Sequence, residues 1–446
     1  MSKKIYIETY GCQMNFSDSE IVASVMTSEG FEMTDKQEEA DVIFLNTCSI
    51  REHAENRVLN RLRELQHLRR SRPGLMLGVL GCMAERMKSS LLENEKLGMR
   101  IDMVAGPDAY RQLPGLLADA EGGRQAMNVI LSAEETYADI SPVRYSSGGV
   151  SAFVSIMRGC ENFCAYCVVP FTRGKERSRD PGSILAELSQ LYDAGYREVS
   201  LLGQNVNSYN WKDRSDGKIT GFSELIARAA ETVPDVRIRF ATSHPKDISE
   251  ELLHSMAEHP NICRAIHLPV QSGSTSVLRR MNRKYSREDY LEKIAAVRRI
   301  LPYCAISTDI ISGFSGESEE DHQQTLSLMD EVGFDFAFMF KYSERPGTIA
   351  AKKYNDDVPE VVKTRRLNEI IKKQQELSLI SNRRDVGKIF EVLVEGRSKR
   401  SEENAMGRTS HNKVVVFPAV ACKAGDYVNV RIVSCTSATL KGEIAL

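Results

Sequence analysis

The sequence predicts an α/β protein built from three parts. These are an N-terminal doubly wound parallel α/β domain over residues 1–147, a central partial (β/α)6 barrel over 148–378 and a C-terminal small antiparallel β-barrel over 379–446. Two observations predict this organisation. Short apolar strands alternate with amphipathic helices as far as a long charged segment, which favours parallel sheets, and beyond it the chain changes to short alternating strands with turn residues. A length of 446 residues also exceeds that of one average domain.

In the N-terminal part, apolar and amphipathic patterns predict strands over 5–10, 42–45 and 75–80, with helices over 18–29 and 53–70. Each predicted strand runs into a cysteine, namely Cys12, Cys48 and Cys82. Because the carboxyl ends of parallel strands lie on one edge of a sheet, these thiols are expected to converge. They would then form a three-thiolate cluster site. The alternative is that each cysteine is simply a small buried residue.

The central part repeats the strand-then-helix unit six times. Strands are predicted over 153–157, 198–202, 236–240, 265–268, 305–311 and 334–340. Between them lie amphipathic helices such as 183–194, where Leu185, Leu188 and Tyr192 share a face and Gly195 can end the helix. Six such units predict an open, partial barrel, whose site is expected at the carboxyl ends of its strands.

The first of these strands leads into a loop with three cysteines, Cys160, Cys164 and Cys167. Iron–sulfur clusters are usually held by four thiolates, so a local group of three would leave one iron open to a ligand or substrate. The alternatives are a zinc site or three unrelated buried thiols. Zinc would need a fourth ligand, and no Cys or His lies within a dozen residues on either side.

Composition restricts the possible classes of function. The chain is 42% hydrophobic, yet it contains no run of about 18 apolar residues and no basic-then-apolar leader, which predicts a cytoplasmic protein without a membrane segment. Ten cysteines in such a chain indicate metal binding or catalysis rather than disulfides. The isolated Cys263, Cys304, Cys422 and Cys435 are expected to be structural. A net charge of -2 means that any nucleic-acid surface must be local.

The C-terminal part begins after a charged run at 359–384, which predicts a helix with a solvated face. Strands are then predicted over 388–394, 413–417 and 427–433. From residue 383 onward there are eleven Lys and Arg against seven Asp and Glu. Small β-barrels with basic loops commonly bind nucleic acid, although such charges also serve solubility. The residues predicted to contact phosphate are Arg397, Lys399, Arg400 and Arg408.

The cysteine spacing, with Tyr166 before the last thiol, resembles the signature of the radical S-adenosylmethionine (SAM) enzymes. With the three N-terminal cysteines and a C-terminal barrel similar to the TRAM RNA-binding domain, essentially the whole chain resembles the methylthiotransferases. Four segments resemble the MiaB-type, tRNA-modifying branch of that family: 10–15 (YGCQMN), 46–52 (NTCSIRE), 167–174 (CVVPFTRG) and 202–207 (LGQNVN). The branch that acts on a ribosomal protein usually has Pro-Lys-Asn after the first cysteine. One departure is Ser315, where the family more often has proline; it removes no ligand.

The resemblance implies two 4Fe-4S clusters. The cluster on Cys160, Cys164 and Cys167 would bind SAM and reduce it to a 5′-deoxyadenosyl radical, and the auxiliary cluster on Cys12, Cys48 and Cys82 would carry sulfur. The implied product has sulfur and a methyl group at carbon 2 of an isopentenyl-adenosine next to the tRNA anticodon. The resemblance also implies SAM contacts from the aromatic residue of the cysteine loop and from polar strand ends, although each strand end could instead be an ordinary turn. The aromatic residue is Tyr166, and the strand-end residues are Gly203, Gln204, Asn205, Ser243, Gln271, Ser272 and Asp309.

The same resemblance implies three partners: a tRNA substrate, a flavodoxin- or ferredoxin-type reductant and an iron–sulfur or sulfur donor protein. The chain itself is expected to be a monomer. Three alternatives remain. A related enzyme would act on threonylcarbamoyl-adenosine in tRNA or on a ribosomal-protein aspartate. A non-enzymatic, metal-containing RNA-binding protein would explain the thiols and the small barrel, but not the polar strand ends.

Overall fold

A computed structural model describes residues 2–49, 52–93, 99–144, 149–399, 401–420 and 422–445. Its N-terminal region contains a six-stranded parallel sheet in the order β2-β1-β3-β4-β5-β6. The strands are β1 Lys4–Thr9, β2 Glu32–Met33, β3 Val42–Thr47, β4 Met76–Gly81, β5 Met103–Ala105 and β6 Ala126–Asn128. The helices are α1 Gln13–Ser28, α2 Glu52–Ser71, α3 Cys82–Met87, α4 Ser89–Leu92 and α5 Leu113–Glu121.

The helices lie on both faces of this sheet, as predicted for a doubly wound domain. Val22 and Met26 of α1 pack with Leu117 of α5 in one core, whereas Leu62 of α2 and Met83 of α3 pack in a second core. The strand order reverses between β1 and β3, and such reversal points are where ligands bind in doubly wound folds. Cys12 follows β1 and Cys48 follows β3, so both lie at this point.

The central region is a curved wall of parallel strands in two sheets, β7-β10-β13 and β14-β15-β16, connected by a bridge between Ile238 and Ile262. The strands are β7 Ser151–Ser155, β10 Glu198–Leu202, β13 Arg237–Ala241, β14 Ala265–His267, β15 Ala305–Ser312 and β16 Phe336–Lys341. Short antiparallel pairs interrupt the wall: β8 Met157–Arg158 with β9 Arg177–Ser178, and β11 Asn210–Lys212 with β12 Ile219–Gly221. The predicted six-unit partial barrel is confirmed.

Helices cover the convex side of this wall, where a single core includes Leu188, Ile226, Leu253, Ile294 and Leu328. The helices of the central region are α6 Val169–Thr172, α7 Pro181–Asp193, α8 Phe222–Thr232, α9 Glu250–Glu258, α10 Thr275–Arg280, α11 Arg287–Ile300, α12 Glu319–Val332, α13 Ile349–Lys353 and α14 Glu360–Arg383, of which α6, α10 and α13 are short.

Helix α14 corresponds to the charged run, but the prediction that its charged residues are solvated is wrong for one face of the helix. Lys363 and Arg366 are buried, because α14 packs along β16 at the edge of the wall. Lys363 Nζ donates to Asp356 at 2.7 Å, and Arg366 Nη1 donates to Glu317 at 2.9 Å. A buried cation is tolerated when it is paired in this way.

The C-terminal region is a closed barrel in the order β17-β18-β19-β21-β20. Its strands are β17 Ile389–Ser398, β18 Ser401–Thr409, β19 Val414–Pro418, β20 Tyr427–Cys435 and β21 Leu440–Ile444. Among the described strands of this barrel, only β19 and β21 pair in parallel, and the other pairings are antiparallel as predicted. The barrel contacts the central wall through Arg237, whose Nη1 donates to the carbonyl of Arg408 at 2.7 Å, and through Arg239, whose Nη2 donates to that of Thr409 at 2.8 Å.

A membrane-spanning segment is not found in the described part of the chain, where each helix is too short or too polar to cross a bilayer.

Candidate active site

The cysteine loop that follows β7 and β8 is held in place by its own backbone. Gly159 has φ +79°, and a Cβ there would lie 1.9 Å from the carbonyl oxygen of Lys175, so only glycine fits. The amide of Ala165 donates to the carbonyl of Met281 at 2.8 Å, and the carbonyl of Ala165 accepts from the amide of Ala350 at 2.7 Å. These contacts fix the turn that carries the first thiol triad, Cys160, Cys164 and Cys167.

The first triad lies in a poorly solvated environment. Burial raises the pKa of Cys160 to about 11 and also raises the pKa of Cys167, and the neighbouring Cys164 adds to both shifts. Arg283 Nη1 donates to Cys164 Sγ at 3.2 Å, and Asn162 Nδ2 donates to Cys160 Sγ at 3.5 Å. The bare thiols of Cys160 and Cys167 therefore resist ionisation, and a bound cation would be needed to hold these two as thiolates.

Tyr166 projects from the same loop toward Arg283. Its hydroxyl lies 3.5 Å from Arg283 Nη1, and burial raises its pKa well above the ordinary value. The side chain also packs against a small core that includes Phe314 and Tyr342. Its position is therefore partly explained by packing alone.

The second thiol triad, Cys12, Cys48 and Cys82, comes from three strand ends. Gly11 has φ +121°, and a Cβ there would lie 2.2 Å from Cys48 Cβ, so this glycine allows the loop after β1 to approach the loop after β3. The hydrogen bond with Cys48 lowers the pKa of Cys12 to about 6, against the opposing effect of burial. Burial raises the pKa of Cys82, and the charge of Cys12 adds to this shift. The structure thus brings the three thiols together.

Arg173 lies in the segment that follows the first triad and contacts the second. Its Nε donates to Cys82 Sγ at 3.2 Å, and its Nη2 donates to Asp18 at 2.7 Å. Arg173 lies only six residues after Cys167, and six extended residues span at most about 20 Å. Because part of this segment is the short helix α6, the actual separation is smaller. One short stretch of the central region therefore carries a ligand candidate of the first triad and a donor to the second.

A buried ionic network holds the N-terminal and central regions together around this stretch. Asp18 is fully buried and accepts from Arg158 Nη1 at 2.9 Å as well as from Arg173. Burial opposes its ionisation, but the two guanidinium groups outweigh that effect and lower its pKa. Arg177 Nη1 donates to the equally buried Asp108 at 2.8 Å. These pairs fix the orientation of one triad with respect to the other.

Polar side chains at the carboxyl ends of β7, β10 and β13 have buried atoms without a hydrogen-bond partner. Within the described ranges these atoms include Ser155 Oγ, Gln204 Oε1, Asn205 Oδ1, Ser243 Oγ, His244 Nε2 and both polar side-chain atoms of Asn207. Buried polar atoms normally find partners, so this cluster is suited to a polar ligand. Gly203 lies beside them, and a Cβ there would lie 2.5 Å from Met157 Cγ. The structure thus brings together the predicted residues of β10 and β13.

The predicted SAM contacts on the other half of the wall are engaged internally. Gln271 has φ +71°, and its backbone pairs with Asp309 and Ile311. Ser272 Oγ lies 3.3 Å from Thr325 Oγ1, so its hydroxyl already has a protein partner. Asp309 lies on the concave side, with one carboxylate oxygen 3.5 Å from His267 Nε2.

His244 follows Ser243 at the end of β13, where its position before Pro245 favours an ordinary hydrogen-bonded loop histidine over a ligand. Its Nδ1 accepts from the amide of Lys246 at 3.3 Å, so the ring proton lies on the unpartnered Nε2. Burial, with Arg283 and Lys246 adding to it, lowers the pKa of His244 to about 2. The ring is therefore a neutral hydrogen-bond donor. The sequence predicted no role for Asp18, Arg158 or Arg173, because these residues meet only when the two regions pack together.

The predicted RNA contacts lie on the C-terminal barrel. Arg397 Nη1 donates to the carbonyl of Glu402 at 3.2 Å, and Arg408 Nε pairs with Glu395 at 2.9 Å. Lys399 is exposed, and no ion pair is found for it among the residues that the structure describes. Arg400 lies outside the described residues.

The remaining cysteines lie apart from both triads. Cys263 is buried, Cys304 belongs to the core of the central wall, and Cys422 and Cys435 pack against the core of the C-terminal barrel. These positions agree with the structural role predicted for them.

A further group that could hold a cation is formed by Glu319, His322 and Glu369 between α12 and α14. Arg365 pairs with both carboxylates, and Arg366 also pairs with Glu319. Arg365 and Arg366 thus already supply the positive charge that a cation would bring to these carboxylates.

Three family descriptions match successive parts of the chain: uncharacterized protein family UPF0004 over residues 4–106, the Radical SAM superfamily over 154–329 and the TRAM domain over 383–445. A protein of Amoebophilus asiaticus named tRNA-2-methylthio-N(6)-dimethylallyladenosine synthase is 57% identical over 454 residues, covering 100% of this chain and 93% of the relative. A protein of Phocaeicola vulgatus with the same name is 58% identical over 443 residues, covering 99% and 96%.

Solved structures resemble the fold at low sequence identity. The radical S-adenosylmethionine methyltransferase TsrM from Kitasatospora setae matches with a TM-score of 0.55 at 14% identity, covering 76% of this chain and 73% of that chain. The cobalamin-dependent S-adenosylmethionine radical enzyme OxsB matches with a TM-score of 0.53 at 13% identity, covering 84% and 56%. These likenesses concern the fold alone.

Proposed function

The chain belongs to the tRNA-2-methylthio-N(6)-dimethylallyladenosine synthase family of radical SAM methylthiotransferases, and we propose that it inserts sulfur and a methyl group at carbon 2 of a dimethylallyl-adenine base in tRNA. Use of an iron–sulfur cluster and SAM follows from the radical SAM superfamily. The observation that carries the proposal is the pair of thiol triads, because Arg173, six residues after Cys167, donates to Cys82.

The residues present fit two clusters and SAM. Each triad offers three thiols, so a 4Fe-4S cluster on either one would keep an iron open for a further ligand. The unpartnered polar atoms of Ser155, Gln204, Asn205, Ser243 and His244 fit the polar groups of SAM. When bound, the two clusters and SAM supply the electron, the radical and the sulfur that an unactivated aromatic carbon requires.

The chain's own residues then have separate tasks. Arg283 and Asn162 donate to the sulfurs of the first triad, and Arg173 donates to the second. Hydrogen bonds to ligand sulfurs orient the ligands and adjust the reduction potential of a cluster. The network of Asp18 with Arg158 and Arg173 keeps the triads at a constant separation, so that one base can meet both.

We assign SAM contacts to Tyr166, Gly203, Gln204, Asn205 and Ser243, with His244 Nε2 as an additional donor. Gln271, Ser272 and Asp309 remain proposed contacts on the opposite half of the wall. The ring of His244 contacts that of Tyr285, whose hydroxyl accepts from Arg283, the donor to Cys164, so SAM bound at these strand ends would lie beside the cysteine loop.

The C-terminal barrel is proposed to bind the tRNA through Arg397, Lys399, Arg400 and Arg408. The target adenine must leave its stack to reach the triads, which costs a few kcal/mol and less in a loop than in a duplex. We place the domain boundaries at 147 and 378 and the reaction in the cytoplasm, where tRNA is modified. A flavodoxin- or ferredoxin-type reductant and an iron–sulfur or sulfur donor protein would serve a monomeric enzyme.

The experiment that tests this function is anaerobic reconstitution with iron, sulfide, SAM and a reductant, followed by mass spectrometry of the nucleosides from the tRNA. The expected product is the 2-methylthio derivative of dimethylallyl-adenosine, with none formed on tRNA that lacks the dimethylallyl group. A protein that binds zinc instead of iron, or that modifies a ribosomal protein and not this tRNA, would contradict the proposal.

A further inference from the structure

Two phenylalanines lie exposed at the edge of the cysteine loop. Phe163 is 41% exposed and Phe171 is 42% exposed, and their rings meet edge to face with centroids 6.4 Å apart. Phe163 directly precedes Cys164, whereas Phe171 lies in α6 between Cys167 and Arg173. The pair thus lies beside both triads but faces solvent. Two adjacent aromatic rings left in water at such a position form a binding surface more readily than part of the core.

The surroundings of the two rings are cationic. Lys352 Nζ lies 5.8 Å from the centroid of Phe171. Lys284 Nζ donates to Asn282 Oδ1 at 2.6 Å, and Asn282 Nδ2 donates to the carbonyl of Phe163 at 2.7 Å. Both lysines are exposed. We call Phe163, Phe171, Lys284 and Lys352 the aromatic–lysine patch.

Phe163 is held outward at a conformational cost. Its φ is +49°, in the left-handed region that bulky side chains rarely adopt. The hydrogen bond from Asn282 fixes the carbonyl of this residue, so the conformation is maintained by a dedicated contact. Backbone strain of this kind is often concentrated at ligand-binding sites.

We propose that the aromatic–lysine patch binds the unpaired nucleotides that flank the target adenine in the RNA loop. Nucleobases stack on exposed aromatic rings irrespective of sequence, and lysines beside the rings would neutralise the adjoining phosphates. A nucleotide suits the patch better than a purely apolar occupant does, because two of the four side chains of the patch are cations. The proposal rests on the proposed function, since it names the part of the substrate that the rim of the same site receives.

Such stacking would help the enzyme to open the loop. When the target adenine turns toward the triads, its neighbours lose a stacking partner. A ring at the rim replaces that partner, so the cost of removing the adenine from its stack decreases. The patch would therefore act at the cysteine loop itself, independently of the C-terminal barrel.

The test uses the full-length, iron-loaded enzyme and an anticodon stem–loop RNA with 2-aminopurine next to the dimethylallyl-adenosine. Stacking quenches 2-aminopurine fluorescence. Wild-type enzyme is expected to quench it, whereas Phe171→Ala should lose the quenching and bind the RNA about 5- to 100-fold more weakly. Lys352→Ala should preserve quenching but lower the slope of log affinity against log salt by about 1.

The matched control is Tyr303→Ala. Tyr303 is 82% exposed and has Lys388 5.9 Å from its ring centroid, so it is an equivalent aromatic–lysine pair outside the site. This variant should quench and bind like wild type. Iron content per chain, measured for each variant, establishes that the cysteine loop is still loaded.

Two results would overturn the proposal. The first is unchanged quenching and affinity for Phe171→Ala at full iron content. The second is unchanged RNA binding together with slower delivery of electrons by a flavodoxin, which would assign the patch to the reductant. Either result leaves the proposed function intact if wild type still forms the methylthio product, whereas absence of that product from wild type would refute the function itself.

Discussion

The two thiol triads have the same ligand set but are built in different ways. Cys160, Cys164 and Cys167 lie within eight residues of one loop, which Gly159 and a few backbone hydrogen bonds hold in shape. Cys12 and Cys82 lie 70 residues apart and meet only because parallel strands end on the same edge of a sheet. The first triad is thus a property of local sequence, and the second is a property of topology.

The triads also differ in what supports them. The first receives Arg283 from its own domain, whereas the second receives Arg173 from the neighbouring region, through a network anchored on Asp18. The second site is therefore complete only when the two regions are packed together. Mutations that leave each region folded but weaken their interface should affect the second triad and spare the first.

The largest expected effect separates the triads by function. Cys164→Ala should abolish cleavage of SAM under reducing conditions, because a cluster held by two thiolates no longer presents one open iron in this loop. The measurement is formation of 5′-deoxyadenosine by the reconstituted enzyme. Full retention of cleavage would show that SAM is activated elsewhere.

The reciprocal substitution is Cys48→Ala. It should spare SAM cleavage yet stop formation of the methylthio nucleoside, because the second triad is proposed to carry the sulfur. Mass spectrometry of tRNA nucleosides measures the product, and 5′-deoxyadenosine measures cleavage in the same sample. Cys263→Ala, a buried cysteine outside both triads, is the matched control and should retain both activities. Continued methylthio formation by Cys48→Ala would contradict the division of labour.

The dependence of the second triad on packing is sharpened by Asp18→Asn. This change leaves the buried guanidinium group of Arg173 without a carboxylate partner and leaves Arg158 only Asp108, at 3.7 Å, and breaking a buried ion pair typically costs about 3–5 kcal/mol. The measurement is the free energy of unfolding in urea. Asp119→Asn removes a carboxylate from a partly exposed pair with Arg124 and should have little effect. Equal destabilisation by both substitutions would mean that the buried network does not hold the regions together.

A smaller and more selective effect is expected for Arg173→Lys. Lysine keeps the positive charge, but it lacks the planar guanidinium group with which Arg173 donates to Cys82 and Asp18 at the same time. Loss of such a supporting hydrogen bond typically costs about 10- to 100-fold in metal affinity. Chelator competition for iron, in a Cys164→Ala background that isolates the second triad, measures this loss. A comparable loss of iron from the first triad in a Cys48→Ala background would contradict the selectivity.

Local sequence predicted the first triad because its three ligands are close along the chain, and sheet topology predicted the second. The longer strands and the charged helix α14 were predicted for the same reason, since periodicity acts over neighbouring residues. Three strands of the N-terminal sheet were missed because β2, β5 and β6 have only two or three residues. In the C-terminal barrel, β18 and β21 were missed. The first residues of β18, Ser401 to Asn404, are polar and unburied, and β21 has only five residues, of which two are charged.

The supporting residues could not be predicted in the same way. Asp18 and Arg173 are 155 residues apart, and their contact exists only in the packed structure. Lys363 and Arg366 belong to a charged run that usually indicates a solvated face, yet the edge of the wall buries them against Asp356 and Glu317. Which charges in a run become buried depends on tertiary contacts, and a helical pattern alone does not contain that information.

The smallest expected effect concerns the C-terminal barrel, which lies apart from both triads. Lys399 is exposed, whereas Arg408 is partly neutralised by Glu395 at 2.9 Å. Lys399→Ala should therefore lower the slope of log tRNA affinity against log salt by about 1, and Arg408→Ala should lower it less, because that guanidinium releases fewer counterions on binding. Binding titrations of full-length enzyme at several salt concentrations measure both slopes. If Arg408→Ala had the larger effect, RNA binding would have to displace Glu395, and the barrel would rearrange on binding while the triads stay fixed.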